Sequence, residues 1–242
     1  MAHKSIVVAV TLALLLFVTA AQGKAYVVAV GISDYPGTEK DLRLSSHDAE
    51  TIAWLYAQNG DAECYKLLDS KATTTNVVSA MNRVFAKAGT ADIVVFFFAG
   101  HGYRGGFVTY DGTLSYAAVR KAMAKSKSRN KMIFADACFS GKIRTQKNSD
   151  SAISAAKSAN VMLFLSSRSN EVSYESPSMK NGFFTTYLQK GLRGGADKNG
   201  DRIVTAKELF EYVHDGVVNL SHGKQHPVMW GKFADTMPVL VW

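Results

Sequence analysis

A histidine and a cysteine, each set just past an apolar run, carry the clearest chemistry in this chain. His101 stands in AGHG after residues 92–99 (DIVVFFFA), and Cys138 stands in DACFSG after residues 131–136 (KMIFAD). An imidazole beside a thiol raises the thiolate fraction, and a thiolate attacks carbonyl carbon. The same imidazole can then protonate a leaving amine. The tetrahedral oxyanion needs donors. The backbone N–H groups of Gly102 and Cys138 are the candidates, because glycine lets the chain approach a substrate closely. Taken singly, such a histidine is an ordinary polar residue and such a cysteine is core filler. Together, after two strands and flanked by glycines, they make a joint signal. His47, His214, His222 and His226 show no metal-ligand spacing around Cys138.

Apolar runs of this length, bounded by glycine, read as buried parallel strands. In open α/β sheets, chemistry collects just past the carboxyl ends of such strands. The pattern predicts strands at residues 26–32, 63–68, 92–99, 131–136, 161–166 and 228–233. Helices are expected at 47–59, 74–87, 115–127, 183–192 and 207–220, with a short hairpin at 107–109. Strands separated by helices imply right-handed crossovers. The expected fold is a three-layer α/β/α sandwich with a mostly parallel six-stranded sheet.

Residues 1–23 have a basic start, an uncharged apolar run at 6–21 and a small-residue end, the pattern of a secretory signal peptide. Cleavage after Ala21 or after Gly23 fits equally. The alternative, an uncleaved anchor, is short of the ~20 residues a spanning helix needs. Residues 24–242 then form one domain, secreted or periplasmic, with no stable membrane span after cleavage. The formal charge of +8 loses only Lys4 with the leader. The basic residues are scattered without interleaved aromatics, so no specific nucleic-acid groove is expected. Cys64 sits in an expected strand (ECYKLLD) as a small buried hydrophobe, and no disulfide with Cys138 is expected.

With these pieces on the page, the chain resembles the caspase-like cysteine peptidases, and the metacaspase and bacterial branches more than animal caspases. The resemblance runs through AVGISDYPG (29–37), SSHDAE (45–50), FFFAGHG (96–102), DACFSG (136–141), SSRSNEVSYE (166–175) and NGFFTTYL (181–188). It implies a His101–Cys138 dyad with the Gly102 and Cys138 amides as oxyanion hole. Animal caspases hold aspartate with an arginine in a Ser-aromatic-Arg stretch. The similar stretch here is Ser173-Tyr174-Glu175, with an acid in that place. Asp136 stands where caspases have glutamine. Metacaspases that cut after Arg or Lys carry two acids, matching Asp48 and Asp136, and a carboxylate pair suits a guanidinium. Ser45, Tyr174 and Glu175 complete the implied pocket. Two departures touch it: Ala99 stands where metacaspases commonly have serine, and Ser45 where they commonly have cysteine. Arg168 could neutralise one carboxylate. The competing reading of Asp48 is a helix cap with Ser45, and that of Asp136 a bond to local turn amides.

The polar, basic segment at 142–158 falls where caspases are cut into large and small parts, and Lys142, Arg144 and Lys147 would suit self-cleavage. An exposed uncut loop is the alternative. Asp197, Asn199, Asp201, Thr205 and Glu208 take positions 1, 3, 5, 9 and 12 of a calcium-loop pattern, but Arg202 replaces its turn glycine. A capping box (Thr205, Glu208) after an Asn199-Gly200 turn is the favoured reading, with weak calcium binding as the minority one. No organic cofactor is required. The expected function is a secreted cysteine endopeptidase acting on proteins or peptides after Arg or Lys. A catalytically silent domain that binds basic peptides is the main alternative. A caspase-fold peptidase for acidic or asparagine substrates follows, then nucleic-acid binding. Monomer and dimer both remain open.

Overall fold

The structure, a computed structural model, describes residues 23–58, 61–103, 105–138, 160–168, 171–176 and 178–242. Residues 1–22 of the expected leader and the whole segment at 142–158 lie outside the described residues. In chain order the elements are β1 (Ala25–Gly31), α1 (Ser45–Gln58), β2 (Ala62–Leu68), α2 (Thr74–Phe85) and β3 (Ile93–Tyr103). Then come β4 (Gly106–Val108), β5 (Thr113–Ser115), α3 (Tyr116–Met123), β6 (Asn130–Cys138) and β7 (Val161–Leu165). The chain closes with α4 (Phe183–Lys190), β8 (Ile203–Thr205), α5 (Ala206–Leu220), β9 (Val228–Gly231) and β10 (Pro238–Val241). No helix among the described residues is long and apolar enough to cross a membrane.

The main sheet has the order β2-β1-β3-β6-β7-β9. Its first five strands are parallel, and β9 runs antiparallel to β7. Alternating side chains feed two cores, because successive residues of a strand face opposite sides. Phe96 and Phe98 pack with α2 and α3 on one side, whereas Phe97, Phe134 and Phe164 pack with α1, α4 and α5 on the other. This is the expected α/β/α sandwich. Three helix starts are fixed by side-chain caps. Thr73 accepts from the Asn76 amide, Ser115 from Ala118, and Thr205 forms a reciprocal box with Glu208.

Three features differ from the sequence expectation. Strands β3 and β6 do not stop at residues 99 and 136 but run on to Tyr103 and Cys138. Glycines 100 and 102 lie past the expected strand end, yet they continue the ladder. At Gly100, φ is 153° and an added Cβ would meet the Tyr35 hydroxyl at 2.6 Å, so the strand passes there only as glycine. The tail of β3 then pairs with β4, which pairs with β5. A second small sheet, β8 with β10, was not anticipated. Cys64 is a free thiol on β2, opposite Val27. Strands β1 and β3 lie between it and β6, and with strands ~4.8 Å apart Cys64 and Cys138 are beyond the ~7 Å Cα limit of a disulfide.

Phe164 is fully buried, with its ring against Phe134, Phe184 and Phe210 at centroid distances of 6.2, 5.0 and 5.6 Å. Phe164→Ala is expected to lower unfolding stability by about 3–5 kcal/mol in denaturant titration, from lost burial plus the cavity left behind.

Candidate active site

The register of β3 and β6 sets Phe97 beside Phe134, Ala99 beside Asp136, and His101 beside Cys138. The two residues with nucleophile-and-base chemistry are thus paired neighbours at the carboxyl end of the two central strands. They were expected just past the strands and lie inside their last turns of ladder. Gly102 follows in β3, opposite Phe107 of β4.

His101 is held from the loop after β1. Its backbone N–H donates to the Tyr35 hydroxyl at 2.9 Å, and the Tyr35 hydroxyl donates to the Val108 carbonyl at 3.2 Å. The Tyr35 ring lies 4.8 Å from the imidazole. Burial pushes the Tyr35 phenol up to about 12, so it stays a protonated donor. The imidazole Nε2 lies 2.7 Å from the Lys40 carbonyl oxygen. A carbonyl only accepts, so Nε2 carries the proton and Nδ1 is the basic nitrogen. The loop itself is pinned by two carboxylates. Asp41 accepts from the Tyr35 amide at 3.0 Å, and Asp69 accepts from the amides of Ser33 and Asp34 at 2.8 and 3.1 Å.

A second group of side chains surrounds Gly182, the residue before α4. Asp48 of α1 is buried; its Oδ1 accepts from Asn181 Nδ2 at 2.7 Å and from the Gly182 amide at 3.2 Å. Asp136, partly buried on β6, accepts through Oδ2 from the Thr185 amide at 3.3 Å and hydroxyl at 2.9 Å. The Ser166 and Ser173 hydroxyls also bond Asp136. A Cβ at residue 182 would lie 2.9 Å from Asp136 Oδ2 and 3.4 Å from Asp48 Oδ2, so the two carboxylates converge over a position that only glycine leaves open. Glu175 is exposed at the rim, with Asp136 and Arg43 both close enough to act on its charge.

Among the described residues the hydrogen-bond partners of this pair are neutral donors, and no Lys or Arg makes an ion pair with Asp48 or Asp136. Arg168 pairs instead with Glu171 at 3.7 Å. Burial, and then the charge of Asp136, hold the Asp48 carboxyl well above the usual range against the pull of Asn181 and Gly182. Burial raises Asp136 also, against its hydroxyl and amide donors. Although Glu175 reaches solvent, partial desolvation of its carboxyl and then Asp136 raise it, with Arg43 and a Leu44 backbone hydrogen bond working the other way. The structure therefore brings Asp48, Asp136 and Glu175 together. Asp48 is bonded across to Asn181 and Gly182 rather than acting as a cap, and Asp136 bonds α4 rather than a local turn. Ser45 is buried one turn before Asp48, and Tyr174 stacks near Phe183 at 6.3 Å.

Sequence reasoning missed Tyr35, the Lys40 carbonyl, Thr185 and the Asn181 amide as site partners. The AVGISDYPG and NGFFTTYL segments contained all but Lys40 of these residues, but nothing local said what they would touch. The 197–208 loop is closed on itself. Asp197 accepts from the amides of Gly200 and Arg202, Asn199 from Asp201, and Asp201 from Ile203. Glu208 accepts from both the amide and the hydroxyl of Thr205. Among the described residues no group of three or more His, Cys, Asp or Glu is placed to hold a metal ion.

Residues 24–237 match the caspase domain of peptidase family C14. The chain belongs to the caspase-domain family. Its fold is similar to a crystal structure of a Geobacter sulfurreducens protein, at 18% identity and a TM-score of 0.67, covering 90% of this chain and 97% of that one. It is also similar to caspase-1 from Spodoptera frugiperda, at 13% identity and a TM-score of 0.61, covering 88% of each chain. No curated protein matches the sequence. The family is one of cysteine peptidases, and His101 and Cys138 sit side by side at the paired ends of β3 and β6.

The raised Asp48 carboxyl has a consequence for stability. The folded state holds that proton more tightly than the unfolded chain, whose value is near 3.8. As pH rises from there through the folded-state value, the unfolded chain ionises first and stability falls. Asp48→Asn keeps the Oδ1 acceptor for Asn181 and Gly182 and removes the charge. It is expected to unfold at higher denaturant than the native chain at pH 7, with the difference closing by about pH 4. An Asn variant less stable at pH 7 would contradict the raised carboxyl.

Proposed function

We propose that this protein is a secreted cysteine endopeptidase that cleaves after Arg or Lys. Cys138 is the nucleophile, His101 the general base and then acid, and Asp48, Asp136 and Glu175 the seat of the basic side chain. One observation carries the specificity: carboxylates converging over Gly182 that, among the described residues, are held by neutral donors. Ionising two neighbouring, desolvated carboxyls is costly unless a cation arrives. A guanidinium or ammonium from the substrate supplies it through charge-assisted hydrogen bonds.

In this mechanism Nδ1 of His101 takes the thiol proton, and the thiolate adds to the carbonyl carbon. The oxyanion meets the amides of Gly102 and Cys138. The imidazolium gives its proton to the departing amine, the C–N bond breaks, and a thioester remains. Water, deprotonated by the same imidazole, adds to the thioester. The acid product leaves and the thiol regains its proton. The Lys40 carbonyl supports the imidazolium through Nε2–H in both halves. The apolar leader at residues 1–23 supports export. The same acid pocket would serve a non-catalytic binder of basic peptides, for which His101 opposite Cys138 has no use.

The reading is tested with matched fluorogenic peptides ending in Arg, Lys, Asp or Asn, using protein lacking residues 1–23, with calcium and with chelator. Cleavage after Arg and Lys is expected, lost at least about a thousandfold in Cys138→Ala. Asp136→Asn should lower kcat/KM for Arg peptides roughly 10- to 100-fold, the equivalent of a hydrogen bond to a charged group. Because the empty pocket holds protons tightly and a cation favours its ionised form, KM for Arg peptides should rise as pH falls. Cleavage only after Asp or Asn would overturn the pocket, and binding of basic peptides with an unreactive Cys138 would favour the binder.

A further inference from the structure

The segment after α5 contains a buried amide that the dyad and the carboxylates do not use. Gln225 is 0% exposed. Its Nε2 donates to the Ser166 carbonyl at 2.8 Å, and its Oε1 accepts from the Tyr174 amide at 2.9 Å. Ser166 and Ser173 bond each other through their hydroxyls, and both reach the Asp136 carboxylate. Glu175 follows Tyr174 directly. One side chain from residue 225 thus joins the two ends of the stretch that carries Asp136's hydroxyl donors and the rim acid.

The segment bearing Gln225 is itself fixed. The Gln225 amide donates to Ser221 Oγ at 3.0 Å. His226 donates its backbone N–H to Glu171 Oε2 at 2.8 Å, and its Nδ1 lies 2.9 Å from Glu171 Oε1. Glu171 lies within the same 166–175 stretch, so residues 225 and 226 grip it at three points. A buried amide satisfied at both ends holds geometry well, since loss of either partner strands a polar group.

Resting on the proposed Arg/Lys specificity, we infer that Gln225 is a positioning residue for the basic-side-chain pocket, acting through Ser166 and Tyr174 on Asp136 and Glu175. Its hydrogen bonds among the described residues go to Ser166, Tyr174 and Ser221 and not to His101. Its removal therefore loosens recognition and leaves the dyad's chemistry in place. With the two serine hydroxyls less well held, Asp136 also keeps its proton to higher pH.

The test compares native protein with Gln225→Met, similar in length but without either polar arm, and with the milder His226→Ala. Three readouts are taken: kinetics on an Arg peptide across pH, the alkylation rate of Cys138 by iodoacetamide, and amide hydrogen exchange at Tyr174. In Gln225→Met, KM should rise about tenfold with kcat changed less than threefold. Its pH dependence should move to higher pH, Tyr174 exchange should speed up at least tenfold, and alkylation should be unchanged. His226→Ala should show the same pattern in smaller measure, which covers the case of a Gln225 variant that does not fold. Unchanged KM in both variants, or kcat and alkylation falling together with KM, would overturn the inference. If the native protein cleaves neither Arg nor Lys peptides, the specificity reading fails first and takes this role with it; a native enzyme that cleaves them beside indifferent variants sinks Gln225 alone.

Discussion

The parallel register of β3 and β6 is the constraint on which the rest of this structure depends. It places His101 opposite Cys138 and Ala99 opposite Asp136. A shift of β3 by one residue would exchange its two faces and move Phe96, Phe97 and Phe98 into the wrong cores. Those three rings are fully buried. The register of the reactive pair is therefore enforced by apolar packing several residues away, where hydrophobic burial is strong, and not by the pair itself.

The acid pocket is the counterpart: a place where the fold tolerates an unfavourable arrangement. Asp48 and Asp136 come from α1 and β6, on the same side of the sheet, and meet over the start of α4. Neutral amides and hydroxyls orient them without neutralising them. In the proposed reading recognition is tied to burial, because the same desolvation that raises the carboxyls strengthens their attraction for an arriving cation. Caspase domains of the animal type meet the opposite substrate charge by inverting residues of this region, as the Glu175 position suggests by resemblance.

Much of the fold was legible in the sequence because its signals are local. Continuous apolar runs gave five of the six strands of the main sheet in their parallel arrangement, and threonine and serine marked the helix starts. The errors arose where local rules and tertiary pairing disagree. Glycine 100 marked the expected strand end, although neighbours on both sides kept the strand extended. The small β8–β10 sheet joins segments more than thirty residues apart and has no periodic signature. The competing helix-cap reading of Asp48, drawn from Ser45-x-x-Asp48, gives way to Asn181 and Gly182, 133 and 134 residues away, which bond its Oδ1. Gln225, buried and polar in a short loop, gave no sign in the sequence of the two backbone groups it would meet.

The central claim is that one pocket joins a reactive Cys138 to a seat for a basic side chain. Intact-mass and peptide mapping after treatment with an arginyl acyloxymethyl ketone, beside its aspartyl counterpart, tests both halves at once. The account predicts a single adduct on Cys138 with the arginyl reagent, formed much more slowly in Asp48→Asn and Asp136→Asn, and little reaction with the aspartyl one. Preferential labelling by the aspartyl reagent, or an arginyl adduct indifferent to both aspartates, would contradict it.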